Sequence, residues 1–68
     1  MDRQYYDQLP IGRILRAPDR RFYSIEPQGL WEGKIIDGFF VATTRNFVQP
    51  TDSILQDLEV FFPGVDKE

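Results

Sequence analysis

The chain has 68 residues with 11 acidic and 8 basic side chains, a formal net charge of −3, and neither His nor Cys. This length corresponds to one domain, which we place at 1–68 with flexible ends at about 1–8 and 64–68. The absence of His and Cys excludes disulfides, thiolate zinc sites and thiol or imidazole catalysis. One Trp, three Tyr and six Phe supply apolar surface for a folded core.

The hydropathy and charge of the sequence limit where the protein can reside and which molecules it can bind. No apolar run approaches the roughly 18 residues of a membrane span, and the polar start of the chain does not resemble a signal peptide. We therefore predict a cytoplasmic protein without membrane contact. Residues 46–68 carry five acidic side chains and one basic side chain, which disfavours nucleic acid as a partner.

In chain order, the first predicted elements are three strands. Residues 11–17 form the first strand candidate, and Pro18-Asp19 begins the loop that returns the chain at Arg21. A second strand is predicted at 21–26. The segment Pro27-Gln28-Gly29 supplies the residues of a turn before a third strand at 30–36.

The strongest local signal is Asp37-Gly38 between apolar β-forming residues, which predicts a two-residue hairpin turn and a fourth strand at 39–44. The turn predicts a register in which alternate residues share a face. The predicted pairs are Ile36 with Phe39, Ile35 with Phe40, Gly33 with Ala42, and Trp31 with Thr44.

This register divides the hairpin into two faces. Trp31, Ile35, Phe40 and Ala42 lie on one face, which we expect a carboxyl-terminal helix to cover. The other face carries apolar side chains mixed with polar ones and is predicted to be the wetter side. Its members are Leu30, Ile36, Phe39 and Val41, together with Glu32, Lys34 and Thr43.

Residues 52–62 are predicted to form that helix. Thr51, Asp52 and Ser53 can cap its first amides, and Pro63-Gly64 would stop it. The apolar positions 54, 55, 58, 61 and 62 follow helical spacing. The alternation across 58–62 also permits a closing strand after a single turn at 52–56.

The predicted fold class is a small α+β domain, a four-stranded antiparallel meander covered on one face by this helix. The alternative is an SH3-like small β-barrel, in which the turn at 52–56 leads into a last strand that closes the open edge.

We predict no catalytic activity, no metal and no cofactor. A general acid and base would require two carboxylates close together in an apolar pocket, and the acidic residues of this sequence are scattered over turns and polar positions. The glycines form no phosphate-binding motif.

The leading functional hypothesis is a small non-catalytic interaction module that binds a larger protein, as an inhibitor or adaptor of the kind carried by phages or mobile elements, or that associates with itself. One short helix can cover only one face of the sheet, so the wetter face remains as a contact surface. The predicted contact residues are Leu30, Ile36, Phe39 and Val41 with Glu32 and Lys34.

The alternative hypothesis is a weak nucleic-acid-binding module. It would use an arginine and aromatic cluster formed by Arg13, Arg20, Arg21 and Tyr23. Arg13 and Arg16 point to opposite faces of a strand, so only Arg20 and Arg21 are expected to lie together.

Overall fold

The computed structural model describes residues 1–61 as a five-stranded antiparallel sheet with two short helices. In chain order the elements are α1 (Arg3–Asp7), β1 (Ile14–Arg16), β2 (Phe22–Glu26), β3 (Gly29–Ile36), β4 (Phe39–Val48), α2 (Asp52–Leu55) and β5 (Glu59–Phe61). The strand order is β4-β3-β2-β1-β5. The coarse prediction of a small α+β domain with an antiparallel sheet is confirmed, while the predicted end at 64–68 lies outside the described residues.

The predicted helix over 52–62 is wrong beyond its first turn. Its start is as expected, because the Thr51 hydroxyl accepts a hydrogen bond from the Ile54 amide at 3.3 Å. The helix ends at Leu55, and β5 pairs antiparallel with β1. Backbone pairing with a distant strand therefore overrides the helical spacing, a choice that short apolar segments leave open.

The alternative prediction, a last strand after a turn at 52–56, fits the position of β5. In the order of the sheet, however, β4 and β5 are the two ends, and no ladder joins them within residues 1–61. The hydrogen-bonded closure of a barrel is therefore absent from the described part of the chain.

Two strands differ in length from the prediction by more than one residue. β1 is confined to Ile14–Arg16 because Gly12, with φ of 92°, lies in a turn before it. β4 extends beyond 44 to Val48, since Trp31 pairs with Phe47 after an irregularity in the ladder. The predicted pairing of Trp31 with Thr44 is thus wrong.

The core lies on one face of the sheet, between the strands and the two helices. Its fully or nearly buried members are Leu15, Tyr23, Ile25, Leu30, Leu55 and Leu58. Leu15 pairs with Tyr23, and Ile25 pairs with Leu30, so these four side chains share that face. Partly buried residues from both ends of the chain complete the packing: Met1, Tyr6, Leu9, Ala17, Val48, Ile54 and Val60.

The predicted assignment of the two faces is reversed. Trp31 and Phe40 were expected to meet the carboxyl-terminal helix, yet Leu30 from the opposite face packs with Leu55 and Leu58. Period-two alternation separates the faces but carries no information about which one the rest of the chain covers.

The amino-terminal segment, expected to be a flexible end, contains α1. The Asp2 carboxylate accepts a hydrogen bond from the Tyr5 amide at 2.8 Å and caps this helix. The Arg3 guanidinium donates to the Pro50 carbonyl at 2.6 Å and lies 3.6 Å from the Asp52 carboxylate. The Met1 ammonium donates to the Leu55 carbonyl at 2.7 Å. These contacts connect α1 with α2.

Candidate protein-interaction surface

The Asp37-Gly38 turn sets the geometry of the β3–β4 hairpin. Asp37 has φ of 53° and Gly38 has φ of 83°, as in the two-residue turn with positive φ at both central positions. Ile36 pairs with Phe39 directly across this turn. The prediction of this turn is confirmed, and so is the predicted register from Ile36–Phe39 as far as Gly33–Ala42, because both depend on local chain chemistry.

The end of this hairpin exposes three large apolar side chains on one face. The exposed fractions are 46% for Ile36, 74% for Phe39 and 42% for Val41. Ile36 is the cross-strand partner of Phe39, and Val41 lies two positions further along the same strand, so the three side chains are neighbours. We refer to these three residues as the hairpin patch.

The hairpin patch lies beyond the core. No residue from 31 to 47 belongs to the core or to the side chains packed against it, whereas Leu30 and Val48 at the base of the hairpin do. The outer part of the hairpin is therefore held by its own strand pairing and by contacts on its other face. A surface presented in this way is accessible to a partner from the patch face and from the outer edge of β4.

Three further residues were predicted to belong to the contact surface. Leu30 is fully buried and contributes to the core, so it is removed from that surface. Glu32 is half-buried, with its carboxylate 3.9 Å from the Arg21 guanidinium. Lys34 is exposed and pairs with Val41, which places its ammonium group at the border of the hairpin patch.

Aromatic rings stiffen the other face of the hairpin. The Trp31 ring lies 5.8 Å from the Phe47 ring and 6.5 Å from the Phe40 ring. The Trp31 indole N–H donates to the Thr44 carbonyl at 2.8 Å. A Cβ atom built on Gly33 would lie 2.6 Å from Phe40 Cζ, so the Phe40 ring packs directly on the Gly33 backbone.

The residues of the nucleic-acid alternative do not form a stacking platform. Arg21 lies 2.6 Å from the Asp19 carboxylate, which holds the pKa of Asp19 below its usual range. Tyr23 is buried in the core, and this burial raises its pKa. Arg20 is exposed, with φ of 73°, and Arg13 is half-buried. The structure therefore brings Arg20 and Arg21 together in the β1–β2 loop but not with an exposed ring.

A cleft of about 340 Å³ lies between the β1–β2 loop and α2. Its polar lining includes Asp19, Arg21, Tyr23, Ser53 and Asp57. A carboxyl group that acts as a general acid has a raised pKa, whereas the pKa of Asp19 is lowered. Within residues 1–61 no group of three acidic side chains could hold a metal ion.

Sequence reasoning missed the full extent of β4 and the exposed outer edge it creates. The segment Thr43–Val48 contains Thr, Phe and Val, residues typical of strands, and this composition could have indicated the extension. Nothing in the sequence near Arg20 indicates its positive φ. This conformation follows from the three-residue loop between Ala17 and Arg21, in which the Ala17 amide donates to the Arg21 carbonyl at 2.8 Å.

Comparisons with protein-family models, curated proteins and solved structures found no match to this chain. Neither α1 nor α2, the helices of the described residues, has the length or apolar character to cross a membrane.

Proposed function

We propose that this protein is a small non-catalytic interaction module that binds another protein through the hairpin patch. The observation that carries the proposal is the clustering of exposed apolar side chains: Ile36, Phe39 and Val41 are adjacent, and Phe39 is 74% exposed. Contiguous apolar patches on small domains are typical of protein contact sites. Lys34 at the border adds a charge that can select the partner.

The fold favours this surface because the residues that form the core are different from those that would contact a partner. The core is formed at the base of the hairpin by Leu30 and its neighbours, and the hairpin patch lies outside that core. A partner that covers Phe39 removes roughly 110 to 185 Å² from water, three quarters of the area of a Phe side chain. An aromatic anchor of this size is typical of the residues that dominate binding energy.

Photocrosslinking in cells of the source organism tests the proposal. A benzoylphenylalanine at position 39 is compared with one at Ile11, which is 59% exposed and lies near the opposite end of the sheet, where the Gly12 amide donates to the Ile25 carbonyl. We expect protein crosslinks from position 39 that the substitutions Ile36→Thr and Val41→Thr reduce several-fold. Equal crosslinking from positions 39 and 11 would contradict the proposal.

The nucleic-acid alternative has weaker support, since Tyr23 is buried and Arg21 is paired with acidic side chains. A titration with single-stranded oligonucleotides at increasing salt tests it directly. Binding through phosphate contacts would weaken steeply with salt and would require Arg20 and Arg21. We expect no salt-dependent binding in the micromolar range.

A further inference from the structure

The outer edge of β4 is a second feature of the hairpin. β4 is ten residues long and lies at one end of the sheet order, and no strand of residues 1–61 pairs with its outer side. Its segment Phe39–Thr44 contains no charge and no Pro, and all of its residues except Ala42 are strong β-formers. Long uncharged edges of this kind readily pair with another strand, since natural edge strands are usually protected by charge, Pro or a bulge. In β4 the ladder irregularity and Arg45 lie beyond Ala42, so the regularly paired residues Phe39–Ala42 carry none of these protections.

The hydrogen-bonding groups available on this edge follow from the turn. Residues that flank a two-residue hairpin turn exchange hydrogen bonds, and hydrogen-bonded pairs then alternate with non-hydrogen-bonded pairs. Ile36 and Phe39 flank the turn, so the next pair, Ile35 and Phe40, is non-hydrogen-bonded. The amide and carbonyl groups of Phe40 and Ala42 consequently point away from β3.

We propose that two copies of the chain associate by antiparallel pairing of β4 with β4 about a two-fold axis at Val41. This inference rests on the proposed function, because it names the second copy as the protein that the hairpin contacts. In this register Phe40 exchanges two hydrogen bonds with the partner's Ala42, and Ala42 exchanges two with the partner's Phe40. All four outward groups of this segment are then satisfied in each copy.

In this register the side chains of the segment in one copy fit those of the same segment in the other copy. Phe39 faces the partner's Thr43 and Phe40 faces the partner's Ala42, so each large ring meets a smaller side chain. Arg45 is brought towards the partner's Asp37, which places opposite charges at both ends of the paired segment. No like charges oppose one another along it.

The area involved predicts a weak dimer. The two hairpin patches lie side by side next to the axis and stay partly exposed, so the exposed apolar area of each patch, on the order of 300 Å², is an upper bound on what each copy buries. The total is below the roughly 1,200 Å² of a stable interface, so we expect a dissociation constant on the order of 100 µM.

Sedimentation velocity from about 5 to about 500 µM measures this association. We expect wild-type protein to shift from monomer to dimer across this range. Ala42→Pro removes an outward amide without removing a hydrogen bond to β3, and it should weaken association at least ten-fold while circular dichroism shows a folded monomer. Unchanged association of a folded Ala42→Pro variant would overturn the pairing.

Because the chain contains no Cys, engineered cysteines provide an independent test. Residues at position 41 form a non-hydrogen-bonded pair across the axis, with Cα atoms about 4.5 Å apart, which suits a disulfide. Val41→Cys should therefore give a disulfide-linked dimer on mild oxidation. Ile36→Cys is the matched control, since its two copies would be three strand spacings, about 14 Å, apart across the sheet and about 13 Å apart along the strands, or about 20 Å in all.

The results separate this inference from the proposed function. Equal crosslinking of the position 36 and 41 variants would indicate stacking of the patch faces and would overturn the edge pairing. A wild-type chain that remains monomeric at the highest concentration would also overturn it, while crosslinks from position 39 to a different protein would leave the proposed function intact. Absence of any crosslink from position 39 would contradict the proposed function itself.

Discussion

Gly33→Ala should destabilise the protein by a purely steric mechanism. Gly33 has no positive φ that would require glycine, so its replacement is a test of space alone. The added methyl group would overlap the Val41 carbonyl oxygen and lie 2.6 Å from Phe40 Cζ. The Phe40 ring can rotate aside, but the carbonyl belongs to the paired strand and can move only with its backbone.

Overpacking of this kind typically costs about 1 to 3 kcal/mol of unfolding free energy, and the backbone clash places Gly33→Ala at about 2 to 3 kcal/mol. For a domain of this size each kcal/mol lowers the melting temperature by about 4 to 8 °C. The expected decrease is therefore roughly 8 to 24 °C. Trp31 fluorescence should change as well, because its ring lies 6.5 Å from the displaced Phe40 ring.

Thermal melting followed by circular dichroism measures the first effect, and emission from Trp31, the single Trp of the chain, reports the second. Combining Gly33→Ala with Phe40→Leu removes one of the two clashes, so the double variant should lose less stability than the sum of the single changes. A Gly33→Ala protein that melts within about 2 °C of wild type would refute the packing of Phe40 on Gly33.

Three other variants test the core, the β1–β2 loop and the buried tyrosine. Leu30→Ala should lower the free energy of unfolding by about 2 to 5 kcal/mol, because Leu30 is fully buried, whereas Phe39→Ala should lower it by about 1 kcal/mol. Urea denaturation measures both losses, and equal losses would contradict the assignment of core and patch. Arg20→Gly should raise the unfolding free energy by about 0.5 to 1 kcal/mol, since Arg20 has φ of 73°, and a loss of stability would contradict this reason. Burial raises the pKa of Tyr23, so the associated stability is fully present below the unfolded pKa near 10 and is lost as the pH rises through the folded pKa. Tyr23→Phe should reduce this alkaline loss in melts from pH 8 to about 11, and an unchanged pH profile would contradict the burial of the phenol.

The predictions that were correct depend on residues near one another in the chain. Asp37-Gly38 has the backbone freedom that a two-residue hairpin turn requires, so the turn and the register as far as Gly33–Ala42 could be read directly. Thr51 likewise supplies the hydroxyl that caps α2. Alternation likewise predicted that Ile36, Phe39 and Val41 share one face, and all three are exposed there, although the expected reason, a helix on the opposite face, was wrong.

The predictions that failed depend on distant parts of the chain. The segment from Leu58 to Phe61 has spacing compatible with both helix and strand, and its pairing with β1 decides for the strand. The irregularity after Gly33 moves Phe47 opposite Trp31, and nothing local to either residue indicates this shift. Leu30 is buried because Leu55 and Leu58 pack against its face of the sheet.

Four properties of this protein could be read from its residues alone: the size class, the absence of His and Cys chemistry, the hairpin turn and the two alternating faces of β3 and β4. These properties follow from composition and from backbone preferences of neighbouring residues. The face that became core, the end of α2 at Leu55 and the position of β4 at the edge of the sheet depend instead on how the whole chain folds. Those outcomes depend on long-range strand pairing and on burial against residues more than 20 positions away, and the free energy of such contacts is not encoded in any local pattern.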